Sequence, residues 1–137
     1  MPVIWCGNFL LIAALIAATS LPASAAPPSG KNINEVTQLI LNSYAKILFN
    51  KDVAGARADC ESAQKLSRQF DPDPYLAGIV DICFSDVADL QKNKSAACGR
   101  LDSALKNFGA TPASHPARKV LENQIKGAER RRAKLAC

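Results

Sequence analysis

From Ile33 onward, apolar residues return at spacings of three and four, in five blocks separated by turn-forming residues. Ile33, Val36, Ile40, Tyr44 and Ile47 form the first stripe, with Glu35, Gln38, Asn42 and Lys46 opposite. Asn32 with Glu35 three residues later has the form of a capping box, so a helix is expected over about residues 33–49. After Asn50-Lys51-Asp52, with Asp52 as N-cap, the second stripe runs through Val53, Ala56, Cys60, Ala63, Leu66 and Phe70. Pro72 and Pro74 stop it, because a residue before proline is pushed out of the α region. Leu76, Ile79, Val80, Cys83, Val87 and Leu90 then define a third helix, which places Asp81, Asp86 and Asp89 on its exposed side. Gly78 weakens its start.

Ser95 is the expected cap of a fourth helix that turns Ala97, Cys98, Leu101, Ala104, Leu105 and Phe108 inward and ends with Gly109 at C′. A loop rich in Gly, Pro, Ser and Thr follows, over residues 109–116. The last helix, over about residues 117–135, turns Val120, Leu121, Ile125, Ala128 and Leu135 inward, with a possible kink at Gly127. Nowhere do β-branched and aromatic residues alternate with polar ones over a strand's length. The fold class is therefore all-α: a small up-down bundle of about five helices, built from antiparallel helical hairpins.

Upstream of these blocks the chain reads as a targeting segment. Residues 9–18 are an apolar run of signal-peptide length, and Ala23-Ser24-Ala25 has the A-x-A form of a cleavage site. Residues 1–25 are thus expected to be a cleaved signal peptide, residues 26–32 a flexible lead-in and residues 33–137 a single helical domain. The segment departs from the rule in having no Lys or Arg before the apolar run, which leaves an uncleaved membrane anchor as the rival reading. Pro22 and the small residues around it favour cleavage. Cys6 lies upstream of the apolar run, so it does not read as a lipoprotein site.

Four cysteines follow the leader, Cys60, Cys83, Cys98 and Cys137, and an even count in a short exported chain implies a disulfide framework. Cys60 and Cys83 lie equally far from the Asp71-Pro72 step, so an antiparallel hairpin folded there brings both sulfurs to one level. The last helix returns towards the start of the fourth and carries Cys137 towards Cys98. Cys60–Cys83 with Cys98–Cys137 is the pairing this geometry favours, although spacing alone leaves the other two connectivities open. Each bridge would contribute ~2–4 kcal/mol. No two cysteines have metal-site or C-x-x-C redox spacing, so no metal or other cofactor is expected.

The only histidine, His115, sits in a Ser-His-Pro loop and reads as a solvated turn residue, with Ser114 merely its neighbour. Asp71 and Asp73 read as turn chemistry, and the calcium-loop ligand series is missing around them. With no phosphate-binding loop, dinucleotide motif or nucleophile elbow either, a non-enzymatic protein is expected. Charge then singles out the last helix. Residues 1–26 carry none, residues 27–114 carry ten Lys/Arg against ten Asp/Glu, and residues 115–137 carry seven against two. The whole net charge of +5 belongs to that final segment. Lys119, Lys126, Arg130 and Lys134 fall within about 80° of one another on its wheel, with Arg131 and Arg132 flanking the apolar stripe.

Such a ridge fits an acidic protein partner or an anionic envelope component, lipid or polysaccharide. Nucleic acid is disfavoured because no aromatics interleave with the basic residues. A membrane-lying helix would want Trp, and the only Trp lies in the leader. In size, the helix-turn-helix units are similar to tetratricopeptide-like pairs, with Ala56/Ala63 and Ala97/Ala104 each seven apart. The offset between those pairs is 41 residues, against about 34 in that repeat, so the similarity is one of packing. A periplasmic or secreted binding or accessory protein is the function expected, with an envelope-surface structural protein contacting anionic lipid or polysaccharide and a tetratricopeptide-like helical-repeat scaffold as the alternatives. Intact-mass analysis of protein recovered from an exporting host is expected to give a chain starting at Ala26; a chain still carrying Met1 contradicts the cleaved leader.

Overall fold

The computed structural model describes residues 25–137. The expected leader lies outside the described residues, apart from its last position. Helix α1 spans Gly30–Ala45 and continues through one wide π turn, Lys46–Asn50. Then come α2 (Val53–Ser67), α3 (Pro74–Leu90), α4 (Lys94–Gly109) and α5 (Arg118–Leu135). All five pack together in an all-helical bundle, and among the described residues none forms a strand.

Short polar side chains set most helix starts. Ser29, rather than Asn32, caps α1. Its Oγ accepts from the Asn32 N–H at 3.3 Å, while Asn32 Oδ1 accepts from the Ser29 N–H at 2.9 Å. This reciprocal box starts the helix at Gly30, one turn earlier than the Asn32–Glu35 pattern indicates. Asp52 caps α2 through the Gly55 N–H at 2.8 Å. Asp73 caps α3 through the Leu76 N–H at 2.8 Å, with Pro74 at the first helical position, where a missing N–H costs nothing. Asn93, rather than Ser95, caps α4 through the Ala96 N–H at 3.0 Å.

Helix ends depart further from expectation. Gly109 stays inside α4, and Thr111 closes the helix by donating from its N–H to Phe108 O and from Oγ1 to Asn107 O. Among the described residues the left-handed positions belong to Lys51, Lys92 and Ala136, none of them glycine. Lys92 and Ala136 close α3 and α5 in Schellman fashion, with Asn93 N–H donating to Ala88 O and Cys137 N–H to Arg132 O.

Helix α3 is the axis. Eleven of its seventeen residues are buried, against three or four in each of the others, and it touches all four other helices. Its core residues Leu76, Ile79, Val80, Ile82 and Val87 point in several directions around the helix, so no single stripe describes it. The disulfides Cys60–Cys83 and Cys98–Cys137 tie α2 to α3 and the start of α4 to the end of α5, each with Cα atoms 5.7 Å apart. By loop length they stabilise the fold by about 3 and about 4 kcal/mol.

Gly78 has a packing role beyond its propensity cost. The Phe108 ring of α4 lies so close that a Cβ there would overlap it. Gly78→Ala is therefore expected to lower stability by about 1–3 kcal/mol in urea unfolding. Gly99→Ala, with nothing within 4 Å of the added carbon, is expected to raise it by about 0.5–1 kcal/mol. A Gly78→Ala protein as stable as the parent contradicts this close approach.

Candidate functional site

At the elbow end of the bundle, His115 is not solvated. Its side chain is 7 % exposed and Nε2 lies 2.8 Å from Asp73 Oδ2, on a carboxylate that is itself 8 % exposed. Nδ1 accepts from the Ala117 N–H at 3.1 Å, so the shared proton sits on Nε2 in the neutral ring. Both nitrogens are thereby engaged, and the ring packs against Tyr75 with centroids 5.2 Å apart. Asp73 thus serves two masters, capping α3 with one oxygen and holding the α4–α5 loop with the other.

The carboxylates of α3 also sit differently from expectation. Asp81 is buried under α4, where Arg100 Nη1 (2.8 Å), Ser103 Oγ (2.6 Å) and Asn107 Nδ2 (3.2 Å) donate to it. Arg100, Ser103 and Asn107 recur at spacings of three and four along α4, a polar stripe beside the apolar one. That stripe was the available signal for a buried partner. Asp86 is half-buried and receives Arg131 Nε at 3.0 Å, while Arg131 Nη2 donates to Tyr44 Oη at 2.7 Å. Burial pushes the Asp86 carboxyl up, against the pull of Arg131. Burial, with Asp86 alongside, raises the Tyr44 hydroxyl above its ordinary range. This clamp joins α1, α3 and α5. Asp89 is half-buried like Asp86, so none of the three has the solvated placing expected.

Two concavities result. One, of about 460 Å³, lies beneath the elbow among α2, α3 and α4, with Phe70, Leu76 and Val80 in its wall and Arg68 beside Asp73 and Asp81. Asp81 already holds three donors and Asp73 two, and these bonds fasten α4, the start of α3 and the α4–α5 loop. The other is a groove between α1 and α5, whose backbones stay apart although the Arg131–Tyr44 bond spans them at one end. Ile33, Asn34 and Thr37 line one side, Ala117, Lys119, Val120 and Gln124 the other, and Tyr75 the floor, around about 480 Å³. A smaller hollow continues it through Thr37, Tyr75 and Gln124 towards Leu41 and Tyr44, where the Arg131 clamp closes it.

Val120, expected inward, stands 45 % exposed on this groove, and Leu41 faces it from α1 at 52 %. The reason is geometric: α5 leans on α4 and leaves its Val120 edge without a neighbour. The expected basic ridge is laid along α5 with Lys119, Lys126, Arg130 and Lys134 all exposed. Lys126 is paired with Glu122 at 2.6 Å, and that bond holds the Glu122 carboxyl below its usual range. Of the four, only Lys119 reaches the groove. Among the described residues no three His, Cys, Asp or Glu side chains converge as a metal would require, and no helix is long and apolar enough to cross a membrane.

Comparison with family models, with curated proteins and with solved structures finds no match to this chain. Asp73→Ala is expected to cost about 3 kcal/mol in urea unfolding, because a cap and the buried His115 partner go together. Asp52→Ala, which removes an exposed cap alone, is expected to cost about 1 kcal/mol. Equal losses contradict the double role of Asp73.

Proposed function

We propose that the protein is an exported, non-catalytic binding module that holds an acidic amphipathic helix of a partner protein between α1 and α5. The observation that carries this reading is the groove: a polar-rimmed, apolar-floored channel with Val120 and Leu41 exposed on opposite edges. From Gly30 to Tyr44, at about 1.5 Å per residue, it extends for about 20 Å, the length of roughly four helical turns. Helix-in-groove recognition needs such a floor for apolar anchors, and Lys119 at the rim with Lys126 and Arg130 beyond it favours acidic flanks.

The two disulfides support both parts of the reading. They fit an oxidising compartment, and they hold α3 beneath the groove and α5 at one side of it in place before binding, which reduces the ordering cost. The engaged nitrogens of His115 and the three donors on Asp81 speak against acid–base work. A photo-crosslinking amino acid at position 120 is expected to capture an acidic, amphipathic segment, with yield falling in salt. Val120→Asp is expected to weaken that partner's binding about tenfold. Equal capture from position 61 on α2, or a captured segment without acidic residues, contradicts the proposal.

A further inference from the structure

The end of the bundle opposite the elbow has features that the groove does not use. In the π turn closing α1, Leu48 is 71 % and Phe49 82 % exposed, the two most exposed large apolar side chains of the described residues. They form a convex prong rather than the wall of a cavity. Around them this end gathers cations: Lys51 after the turn, Lys92 between α3 and α4, Lys94 opening α4 and Lys134 near the end of α5. All four are exposed, and among the described residues none is within 4 Å of a carboxylate. The nearby acids are largely committed: Asp59 to Lys46, Asp86 to Arg131, Asp102 to Arg132, Asp52 to its cap. Asp89 and, farther along α2 and α5, Glu61 and Glu129 are in no ion pair among the described residues, and Asp52 keeps an exposed charge beside Lys51.

The turns at this end share one backbone feature. Lys51 and Lys92 occupy left-handed positions, φ 50° and 60°, where glycine would fit without strain. Ala136, φ 52°, is a third such position at this end, so the left-handed turns belong to the helix ends here and not to lysine in particular. The Arg57–Gln91 hydrogen bond (3.0 Å) and the Cys98–Cys137 bridge place these segments at one level.

We propose that this end is a bilayer-contact surface, on which Leu48 and Phe49 insert between lipid headgroups while Lys51, Lys92, Lys94 and Lys134 face anionic lipid phosphates. Cations spread over the termini of several helices suit a planar anionic target, which can meet all of them at once, better than a single peptide. A convex apolar pair suits a fluid interface, which needs no preformed pocket. The contact is end-on, so it requires no membrane-lying helix.

The test is co-sedimentation of the full mature protein with phosphatidylcholine vesicles, with and without phosphatidylglycerol. Binding is expected only with the anionic lipid and is expected to fall with salt. Leu48→Ser with Phe49→Ser should weaken it on the order of tenfold. Lys51→Gly and Lys92→Gly should each weaken it roughly fivefold while raising the urea midpoint, so lost binding cannot be ascribed to misfolding. Val120→Asp should leave vesicle binding unchanged, which separates this surface from the groove. Equal binding to neutral vesicles, binding indifferent to the lysine and prong variants, or Phe49-dependent self-association without vesicle binding overturns the proposal.

Discussion

The apolar circumference of α3 is the constraint from which the rest of the bundle follows. A helix with one apolar stripe can lie on a surface, but α3 buries Tyr75, Leu76, Ile79, Val80, Ile82, Cys83 and Val87 and must be covered on nearly every side. At ~25 cal/mol per Å² of apolar surface, leaving any flank open costs more than the weak ion pairs on the periphery return. The other helices are therefore arranged around it as a cover. Their small residues, Ala56 and Ala63 on α2 and Ala97 and Ala104 on α4, are fully buried and allow close approach.

Enclosing α3 also encloses its charges. Asp81 faces α4 and would be costly there without Arg100, Ser103 and Asn107, so the α3–α4 register is fixed by polar chemistry as well as by Phe108 against Gly78. Asp86 faces the gap towards α1 and α5 and is met by Arg131, which also holds Tyr44. Together with Asp73 and His115 at the elbow, these contacts fasten the cover at both ends. Between α1 and α5 the cover stays incomplete, and the groove is that remaining opening.

Much of this was legible in the sequence where a local pattern controlled the outcome. The helical blocks, the Asp52 cap and the proline elbow follow from spacing along the chain, and the disulfide pairing is the one the antiparallel geometry favours among three that spacing leaves open. What was not legible depended on the neighbour across the interface. A one-stripe reading of α3 places Asp81 and Asp86 in solvent, because nothing within α3 announces that α4 and α5 bring donors to them. His115 reads as a loop residue until Asp73, 42 positions earlier, is folded beside it. Val120 has the right phase for burial and lacks only a helix to meet it. The caps at Ser29 and Asn93 lie within one turn of the residues expected, where several short polar side chains compete for the same orphan N–H groups.

Residue-resolved amide hydrogen exchange on the oxidised protein tests the central role of α3 most directly. The amides of Ile79–Val87 should exchange only through global unfolding, with protection at or above that of α2, α4 and the ends of α5. Faster exchange in α3 than in the helices around it would contradict a bundle built about that helix.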